Sequence, residues 1–173
     1  HKLTSEKYLQ IYNKVYGMKT VTLRLSNIYG DGQYETNPHT SVINHFVKKA
    51  INEKKLQVYG DGGPKRDYNY VSNVVDALII SAESENTNGK YYLLGSGNGK
   101  TFSEFLKSLK DILDEKYNIK IDIQNTNMPE IISKTVQGDV IVDYSKFKND
   151  TNWVPKINFE EGLKRTIDFY KTI

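Results

Sequence analysis

The apolar residues of this chain recur at two spacings, one typical of helices and one typical of strands. Tyr8, Tyr12 and Val15 share one face of a predicted helix over residues 2–16, and Gly17 follows as its expected C-cap. The same two spacings predict the elements that follow: a strand over 20–25, a helix over 42–50, strands over 56–59 and 67–71, a helix over 73–81, a strand over 90–94, a helix over 102–113, a strand over 119–123, and helices over 145–148 and 159–170. Helices and strands alternate, which indicates an α/β fold.

Two of these helices carry more specific expectations. The helix over 73–81 is predicted to turn four apolar residues inward, namely Val74, Val75, Leu78 and Ile79. The last helix is predicted to begin after Asn158, because Glu161 follows that candidate N-cap at the expected distance.

A polar, glycine-bearing loop is predicted after the strand over 20–25. Its sequence is Asn27-Ile28-Tyr29-Gly30. In open α/β sheets ligands bind beyond the carboxyl ends of strands, so Asn27 is a candidate ligand contact. A plain turn stabilised by the Asn side chain is an equally common use of this residue.

The stretch from Leu56 to Asp76 has the pattern of a turn that presents one arginine. A short apolar strand is followed by three glycines and Pro64, and Arg66 precedes the next strand. Glycines let the backbone pass close to a ligand, and a guanidinium can hold two phosphate oxygens at once. The stretch therefore suggests a diphosphate site, and the alternative is a hairpin whose Arg66 is a solvated surface charge.

Residues 95–101, Gly-Ser-Gly-Asn-Gly-Lys-Thr, come close to two nucleotide-binding motifs and miss each by one position. A phosphate-binding loop needs one more residue before its Gly-Lys pair, and a dinucleotide fingerprint needs a glycine where Lys100 stands. Thr101 and Glu104 have the spacing of a capping box, so we predict a structural helix start here.

Composition narrows the function classes without identifying one. With 24 basic and 21 acidic residues among 173, the net charge of +3 is small, so neither a nucleic-acid partner nor a membrane partner is indicated. The lack of cysteine excludes disulfides and thiolate chemistry, and no apolar run is long enough to span a bilayer. We expect a cytoplasmic protein. The chain starts without Met inside a predicted helix, so we expect a piece of a longer protein.

Metal and hydrolytic chemistry find no support in the residue pattern. The three histidines lack ligand spacing, so no metal site is predicted. No G-x-S-x-G elbow occurs, and no His stands in a recognisable relation to a Ser. Four carboxylates lie at predicted turns, where capping of the backbone is commoner than acid–base work: Asp61, Asp67, Asp139 and Asp143.

Several short motifs follow one another in an informative order. Residues 23–30 have the form L-R-x-x-N-x-Y-G, and residues 59–71 have the form Y-G-x-G-x-x-x-R-D-Y-x-Y-V. With Gly138-Asp139 and Trp153-Val154-Pro155, this series resembles the carboxyl-terminal half of the NAD-dependent epimerase/dehydratase family. These are extended short-chain dehydrogenases that act on nucleotide sugars, as UDP-glucose 4-epimerases do. The resemblance covers nearly the whole chain.

The resemblance implies one catalytic residue, Lys2. It matches the lysine of the family's Y-x-x-x-K segment, whose tyrosine would lie before residue 1. In the family's reaction an ionised Tyr takes a proton from a sugar hydroxyl while the carbon gives hydride to the nicotinamide, and a 4-keto sugar forms. The charge of Lys2 would favour the tyrosinate, and its ammonium would hold the ribose hydroxyls of the cofactor.

The resemblance implies binding residues in the same way. The positions expected near the cofactor, NAD or NADP, are Lys2, Leu25, Asn27 and Ile28, although the missing amino-terminal half would bind most of it. The positions expected near a nucleotide-diphosphate sugar are Asn27, Val58, Tyr59, Arg66 and Asp139. Among these, Arg66 is expected to hold the diphosphate.

The chain departs from the family pattern at several points. Pro64 stands where many members have Gln, and Val136-Gln137 stand where many have Arg-Pro near the nucleotide ribose. Asn73 replaces a frequent Asp at a helix start, which a cap tolerates. The Gly-rich dinucleotide loop, the catalytic Tyr and its Ser/Thr partner are absent from these residues.

The expected fold is the C-terminal part of a doubly wound Rossmann-like parallel sheet with a small α/β substrate-binding lobe. Residues 1–55 would end the Rossmann-like domain, and residues 56–173 would form mainly the lobe, with interleaved Rossmann elements. The expected function is the substrate-binding part of a nucleotide-sugar epimerase or dehydratase, inactive by itself and homodimeric when intact. The alternatives are a stand-alone nucleotide-sugar-binding module and a reductase of the same family.

Overall fold

The computed structural model describes residues 1–34, 36–37, 39–59, 63–126 and 138–173, with the side chain of Tyr59 excepted. Its elements in chain order are α1 (Lys2–Tyr16), β1 (Val21–Leu25), β2 (Asn27–Tyr29), α2 (Val42–Glu53), β3 (Lys55–Tyr59), β4 (Arg66–Tyr70), α3 (Val71–Glu83), a 3₁₀ turn (Glu85–Thr87), β5 (Lys90–Leu94), β6 (Gly99–Lys100), α4 (Phe102–Tyr117), β7 (Asp122–Thr126), α5 (Ser145–Thr151) and α6 (Phe159–Thr172). The predicted strand over 119–123 thus lies three residues later, as β7.

The described strands pair with partners that are distant in sequence. β1 pairs with β5 in parallel, β3 pairs with β7 in parallel, and β4 lies between a parallel β2 and an antiparallel β6. At least one helix lies between the members of each parallel pair, because parallel pairing needs a long crossover. The expected α/β fold class is confirmed. The alternative hairpin around Arg66 is wrong, because β3 and β4 pair with different strands.

The chain passes from one sheet to the next at Ser26. The Ser26 N–H donates to the Leu94 carbonyl of β5 at 2.9 Å, and Asn27 then pairs with Tyr68 of β4. The prediction that Asn27 lies in a loop is wrong, because its backbone belongs to β2. This switch brings the carboxyl end of β1 next to the start of β4.

Two hydrophobic clusters hold these elements together. The larger joins α2, α4 and α6 to β3 and β4, and its most deeply buried residues include Val47, Leu56, Phe105, Leu109, Leu163 and Ile167. The smaller lies between the β1–β5 pair and the helices α3 and α5, and consists of Val74, Ala77, Tyr92, Leu94, Phe147 and Trp153. Each large side chain so buried contributes about 1.5–3 kcal/mol, so these clusters account for the relative placement of the elements.

The face that α3 turns inward differs from the prediction. Val74 and Ala77 are buried within the smaller cluster, whereas Val75, Leu78 and Ile79 are 47%, 49% and 52% exposed. The helix itself was correctly predicted. Apolar residues occupy more than one side of it, and spacing alone does not show which side meets the sheet.

The expectation that Asn73 caps α3 is wrong, because the N-cap of this helix is Tyr70. Asn73 is the third residue of the helix and is buried, and its Oδ1 accepts hydrogen bonds from the N–H groups of Lys156 and Ile157 at 3.0 and 2.9 Å. Its Nδ2 donates to the Ile157 carbonyl at 2.8 Å. The amide therefore ties α3 to the segment before α6.

Two predicted helix starts are confirmed. Thr101 Oγ1 accepts from the Glu104 N–H at 3.1 Å, and the Glu104 carboxylate accepts from the Thr101 N–H at 2.7 Å, which completes a capping box on α4. That backbone hydrogen bond holds the pKa of Glu104 below its ordinary value. Asn158 Oδ1 accepts from the Glu161 N–H at 2.9 Å and caps α6. Residues 95–101 are thus a turn, a short strand and a cap.

The first helix, α1, contains no buried residue. Its C-cap at Gly17 has φ 67°, in agreement with the prediction. Large apolar side chains on it are exposed: Leu3, Tyr8, Ile11, Tyr12, Val15 and Tyr16. Within the described part of the chain, no helix combines the length and the apolar character needed to cross a bilayer.

Gly162 is expected to resist replacement by alanine, although alanine is the better helix former. A Cβ at this position of α6 would lie 2.8 Å from Tyr70 Cδ2 and would also collide with the Tyr29 hydroxyl. Both rings are buried, and the Tyr29 hydroxyl donates to the Phe159 carbonyl at 2.9 Å, so neither can move freely. Gly162→Ala should lower the free energy of unfolding by about 1–3 kcal/mol in urea denaturation. Lys164→Ala, on the exposed side of the same helix, should change it by less than about 0.5 kcal/mol. Equal stability of both variants would contradict this packing.

Candidate functional site

Arg66 begins β4 at a point where three backbone segments meet. It pairs with Lys100 of β6 on one side and bridges to Val140 on the other. Its Nη1 donates to the carbonyl oxygens of Gly138 at 2.7 Å and Lys65 at 3.0 Å. Its Nε and Nη2 donors have no partner among the described residues. One edge of the guanidinium is therefore held by the protein, and the other edge is available to two oxygens of a ligand.

Asp67 follows Arg66 and is fully buried. Its Oδ1 accepts from the Ser96 N–H and the Ser96 hydroxyl, each at 2.8 Å. Its Oδ2 accepts from the N–H groups of Gly97 and Val142 at 3.0 and 3.1 Å. The carboxylate thus joins β4 to the turn before β6 and to the segment before α5. This confirms the backbone-capping role predicted for Asp67.

Gly95 makes this arrangement possible. A Cβ there would lie 2.6 Å from Asp67 Oδ2 and 2.6 Å from the Cβ of Val142. Only a residue without a side chain lets the turn approach the carboxylate this closely.

Asn27 lies beside this corner, across the pairing of β2 with β4. Its Nδ2 donates to the Asp67 carbonyl at 3.2 Å, and its Oδ1 has no partner among the described residues. Its pairing partner on β4 is Tyr68, which is buried. Burial raises the pKa of the Tyr68 phenol, against the opposing effect of the Arg66 charge, so the phenol is neutral near pH 7. Asn27 is exposed, and within the described part of the chain its amide oxygen is left to accept a hydrogen bond from a ligand.

Asp139 belongs to the same corner as Arg66. Its Oδ1 accepts from the Lys65 N–H at 2.8 Å. The backbone beside it is paired twice, because Asp67 N–H donates to the Val140 carbonyl and Val140 N–H donates to the Lys65 carbonyl, both at 3.0 Å. The structure therefore brings together Arg66, Asn27 and Asp139. Residues 127–137, which include Val136-Gln137, lie outside the described part.

Val58 and Tyr59 stand at the end of β3. The Val58 side chain is buried in the larger cluster, and its carbonyl accepts from Thr126 Oγ1 at 3.2 Å. A ligand could therefore meet its backbone but not its side chain. The backbone of Tyr59 pairs with Thr126, and the side chain of Tyr59 lies outside the described part, as do residues 60–62 with Asp61. Substrate contacts by these two residues stay predictions.

The residues expected near the cofactor are exposed. Lys2 makes no side-chain hydrogen bond or ion pair within the described residues. Leu25 and Ile28 are 41% and 38% exposed although they are apolar. Between them in sequence, the hydroxyl of Ser26 is buried and lacks a partner among the described residues. Exposed apolar groups suit the face of a nicotinamide ring and a free ammonium suits ribose hydroxyls, so these residues fit NAD or NADP.

Sequence reasoning missed the groups that hold Asp67. Three of the four donors are the backbone N–H groups of Ser96, Gly97 and Val142, which every residue except proline carries, and the fourth is the Ser96 hydroxyl. The one local signal was the small size of residues 95–97, which was interpreted only as a helix start. Distances between 67, 96 and 142 depend on the fold and are not visible along the chain.

The fold is that of a mixed α/β protein, and its candidate site brings an arginine and an amide together at the start of β4, in a mixed sheet. The model of the NAD dependent epimerase/dehydratase family matches residues 1–95 of the 173. The chain belongs to this family.

Similar proteins span the length of this chain but extend well beyond it. A putative UDP-glucose 4-epimerase of Methanocaldococcus jannaschii is 29% identical over 98% of this chain and 52% of its own length. The dTDP-glucose 4,6-dehydratase of Escherichia coli is 31% identical over 98% of this chain and 46% of its own length. The crystal structure of UDP-glucose 4-epimerase from Thermotoga maritima with UDP-glucose superimposes with a TM-score of 0.82, at 29% identity, over 99% of this chain and 52% of that one. The chain thus spans about half the length of the curated relatives it matches.

Proposed function

We propose that this chain is the C-terminal, substrate-binding part of a nucleotide-sugar epimerase or dehydratase that works by transient hydride transfer to NAD or NADP. The observation that carries the proposal is the guanidinium of Arg66, which has one edge held by two carbonyls and no partner on its other edge among the described residues. Family membership supports the proposal. The similar proteins named above are an epimerase of UDP-glucose and a dehydratase of dTDP-glucose.

In the proposed complex, the free edge of Arg66 holds two oxygens of the substrate diphosphate. A guanidinium donates two parallel, charge-assisted hydrogen bonds in a fixed geometry that matches two phosphate oxygens. A lysine ammonium lacks this geometry and acts as a point charge. Asn27 accepts a hydrogen bond from the sugar through its Oδ1, and Asp139 lies near the nucleotide ribose. Val58 and Tyr59 border the nucleotide with their backbone.

The proposed chemistry moves one proton and one hydride. Bound NAD or NADP, held mostly by the preceding half of the protein, would accept the hydride and leave a 4-keto sugar. Lys2 would hold the ribose hydroxyls of that cofactor. Its charge would also lower the pKa of the tyrosine that takes the hydroxyl proton. The resemblance places this tyrosine before residue 1. The side chains of Leu25 and Ile28 would shield the nicotinamide from water.

We expect the 173-residue chain by itself to turn over no substrate. The reason is that the proton-accepting tyrosine and the Gly-rich loop are absent from it. The measurement is product formation from UDP- and dTDP-sugars at saturating NAD and NADP. A longer protein that includes both features should form product under the same conditions. Turnover by the 173-residue chain would overturn this part of the proposal.

Two alternatives to this function have their own tests. A stand-alone nucleotide-sugar-binding module would have a native start near His1, would bind ligand through Arg66 and would never show turnover. A reductase of the same family is kept open by Pro64 and by Val136-Gln137, which depart from the common pattern. A reductase consumes reduced cofactor in proportion to product, whereas an epimerase or dehydratase regenerates it, so cofactor absorbance during turnover separates the two.

A homodimer and a cytoplasmic location complete the proposal. Four exposed apolar residues on α1, Tyr8, Ile11, Tyr12 and Val15, support self-association. A chain without cysteine needs no oxidising compartment for disulfide formation. Sedimentation of the longer protein, with and without Tyr12→Glu, tests the dimer.

A further inference from the structure

The helix that carries Lys2 is held to the sheet by polar contacts. α1 has no buried residue that would lock it in place. Within the described residues, Glu6 makes the only side-chain hydrogen bonds that join residues 1–8 to another element. Arg24 of β1 donates both, from Nε to Oε1 at 3.0 Å and from Nη2 to Oε2 at 2.7 Å. The contact is bidentate, so rotation of either side chain breaks at least one hydrogen bond.

The opposite end of α1 has an anchor of its own. Asn13 Nδ2 donates to the Met18 carbonyl and to Asn88 Oδ1, each at 2.8 Å. Asn13 therefore lies close to the chain just before β1, whereas Glu6 lies close to Arg24 near the end of β1. The two anchors show that α1 runs antiparallel to β1.

This orientation determines where Lys2 lies. Lys2 is one helical turn beyond Glu6, about 6 Å along the helix axis. Asn27 is three residues beyond Arg24, just past the carboxyl end of β1, at most about 10 Å further along the chain. Both steps go in the same direction, because the two elements are antiparallel. The contact between Glu6 and Arg24 therefore sets how Lys2 stands relative to Asn27.

The surroundings of the pair distinguish it from ordinary surface ion pairs of this chain. The Glu6 side chain is only 15% exposed, and the Arg24 guanidinium lies over the ring of Tyr91 at 5.0 Å. The hydrogen bonds from Arg24 hold the pKa of the Glu6 carboxyl below its ordinary value. By contrast, the pair between Lys49 and Glu53 lies within one helix, with its atoms 3.7 Å apart. Only the first pair joins two elements that both carry site residues.

We propose that Glu6 and Arg24 are positioning residues, whose paired side chains place Lys2 against the carboxyl end of β1 for the reaction proposed above. The inference rests on that proposed function. In this proposal neither residue contacts substrate or cofactor. They act through α1 on Lys2.

Hydrogen exchange of the 173-residue chain tests the geometric part without any catalysis. Glu6→Gln keeps the size of the side chain and removes its charge. It should raise the exchange rate of amides 5–9 in α1 by roughly tenfold, because local opening no longer breaks the charged fork. Amides of α4 should be unchanged. Glu53→Gln is the matched control and should leave α1 unchanged. Unaltered exchange in α1 of the Glu6→Gln protein would overturn the inference.

Steady-state kinetics of the longer protein test the catalytic part. Glu6→Gln should lower kcat by roughly 10- to 100-fold, since a misplacement of about 1 Å can cost on the order of 100-fold. KM for the nucleotide sugar should stay within about twofold, because Arg66 is untouched. Arg24→Lys keeps the charge but cannot form both hydrogen bonds to Glu6. Its kcat should therefore lie between those of Glu6→Gln and the wild type. Glu53→Gln should match the wild type.

Each outcome decides the matter. A kcat that stays at the wild-type value in both variants would refute a positioning role. A lower kcat that comes together with a lower free energy of unfolding and a raised KM would show that the pair only supports folding. If the wild-type longer protein turned over no nucleotide sugar, the proposed function would fail and the role of the pair in catalysis with it. Hydrogen exchange would still show whether the pair holds α1.

Discussion

Replacing Arg66 by alanine is expected to weaken nucleoside diphosphate binding by about 10- to 150-fold. This corresponds to the roughly 1.5–3 kcal/mol that hydrogen bonds to a charged group contribute. The loss follows from the proposed function, because the Nε and Nη2 edge, which has no partner among the described residues, would bind the diphosphate. Calorimetric titration of the chain with UDP, dTDP, CDP and GDP measures it. The nucleotide that binds also identifies the base.

Two control variants separate the effect of two parallel hydrogen bonds on binding from the effect of a positive charge alone. Arg66→Lys keeps the charge but cannot hold two oxygens in parallel, so it should recover only part of the affinity. Arg165→Ala removes an arginine of α6 that is paired with Glu161 on the same helix, and it should leave binding unchanged. If the folded wild-type chain bound a nucleotide and Arg66→Ala bound it equally well, Arg66 would not be the diphosphate ligand.

Replacing Asp67 by asparagine is expected to destabilise the fold more than any other exchange of one polar group considered for this chain. The new amide would place N–H donors opposite the N–H groups of Gly97 and Val142, which now donate to Oδ2 at 3.0 and 3.1 Å. Water cannot replace the lost acceptor, because Asp67 is fully buried. We expect the free energy of unfolding to fall by about 2–4 kcal/mol.

Urea denaturation followed by circular dichroism measures this loss, with Asp143→Asn as the matched control. Asp143 also accepts from a backbone N–H, that of Ser145 at 2.9 Å, but it is exposed, so water can take over. The control should lose much less stability than Asp67→Asn. Similar losses in the two variants would mean that the buried carboxylate does not organise this corner.

Much of the local structure was predictable from the sequence. The helices with strong apolar spacing were found, and the caps at Thr101 and Asn158 were correct because a cap depends on residues three positions apart. Arg66 was identified as a candidate ligand because glycines and an arginine in one turn are a local pattern. The resemblance to the family was also carried by short motifs, and the family is confirmed.

Other features could not be found in this way. One of the two carbonyls that hold Arg66 belongs to Gly138, which is 72 residues away. Asn27 was placed in a loop because polar residues and Gly30 surround it, yet β4 provides it with a strand partner. The inward face of α3 was predicted wrongly, because Val75, Leu78 and Ile79 are exposed although they are as apolar as the residues that are buried.

The sequence by itself predicted most of the helices and strands and the starts of two helices, and it singled out Arg66 as a candidate ligand of a diphosphate. These properties depend on residues close together along the chain, so their spacing contains the information. Only the tertiary structure decided that β3 and β4 pair with different strands. It also decided that Asp67 accepts four hydrogen bonds and that Glu6 pairs with Arg24. Those contacts join residues far apart in sequence, and their energies arise only when burial removes water from between them.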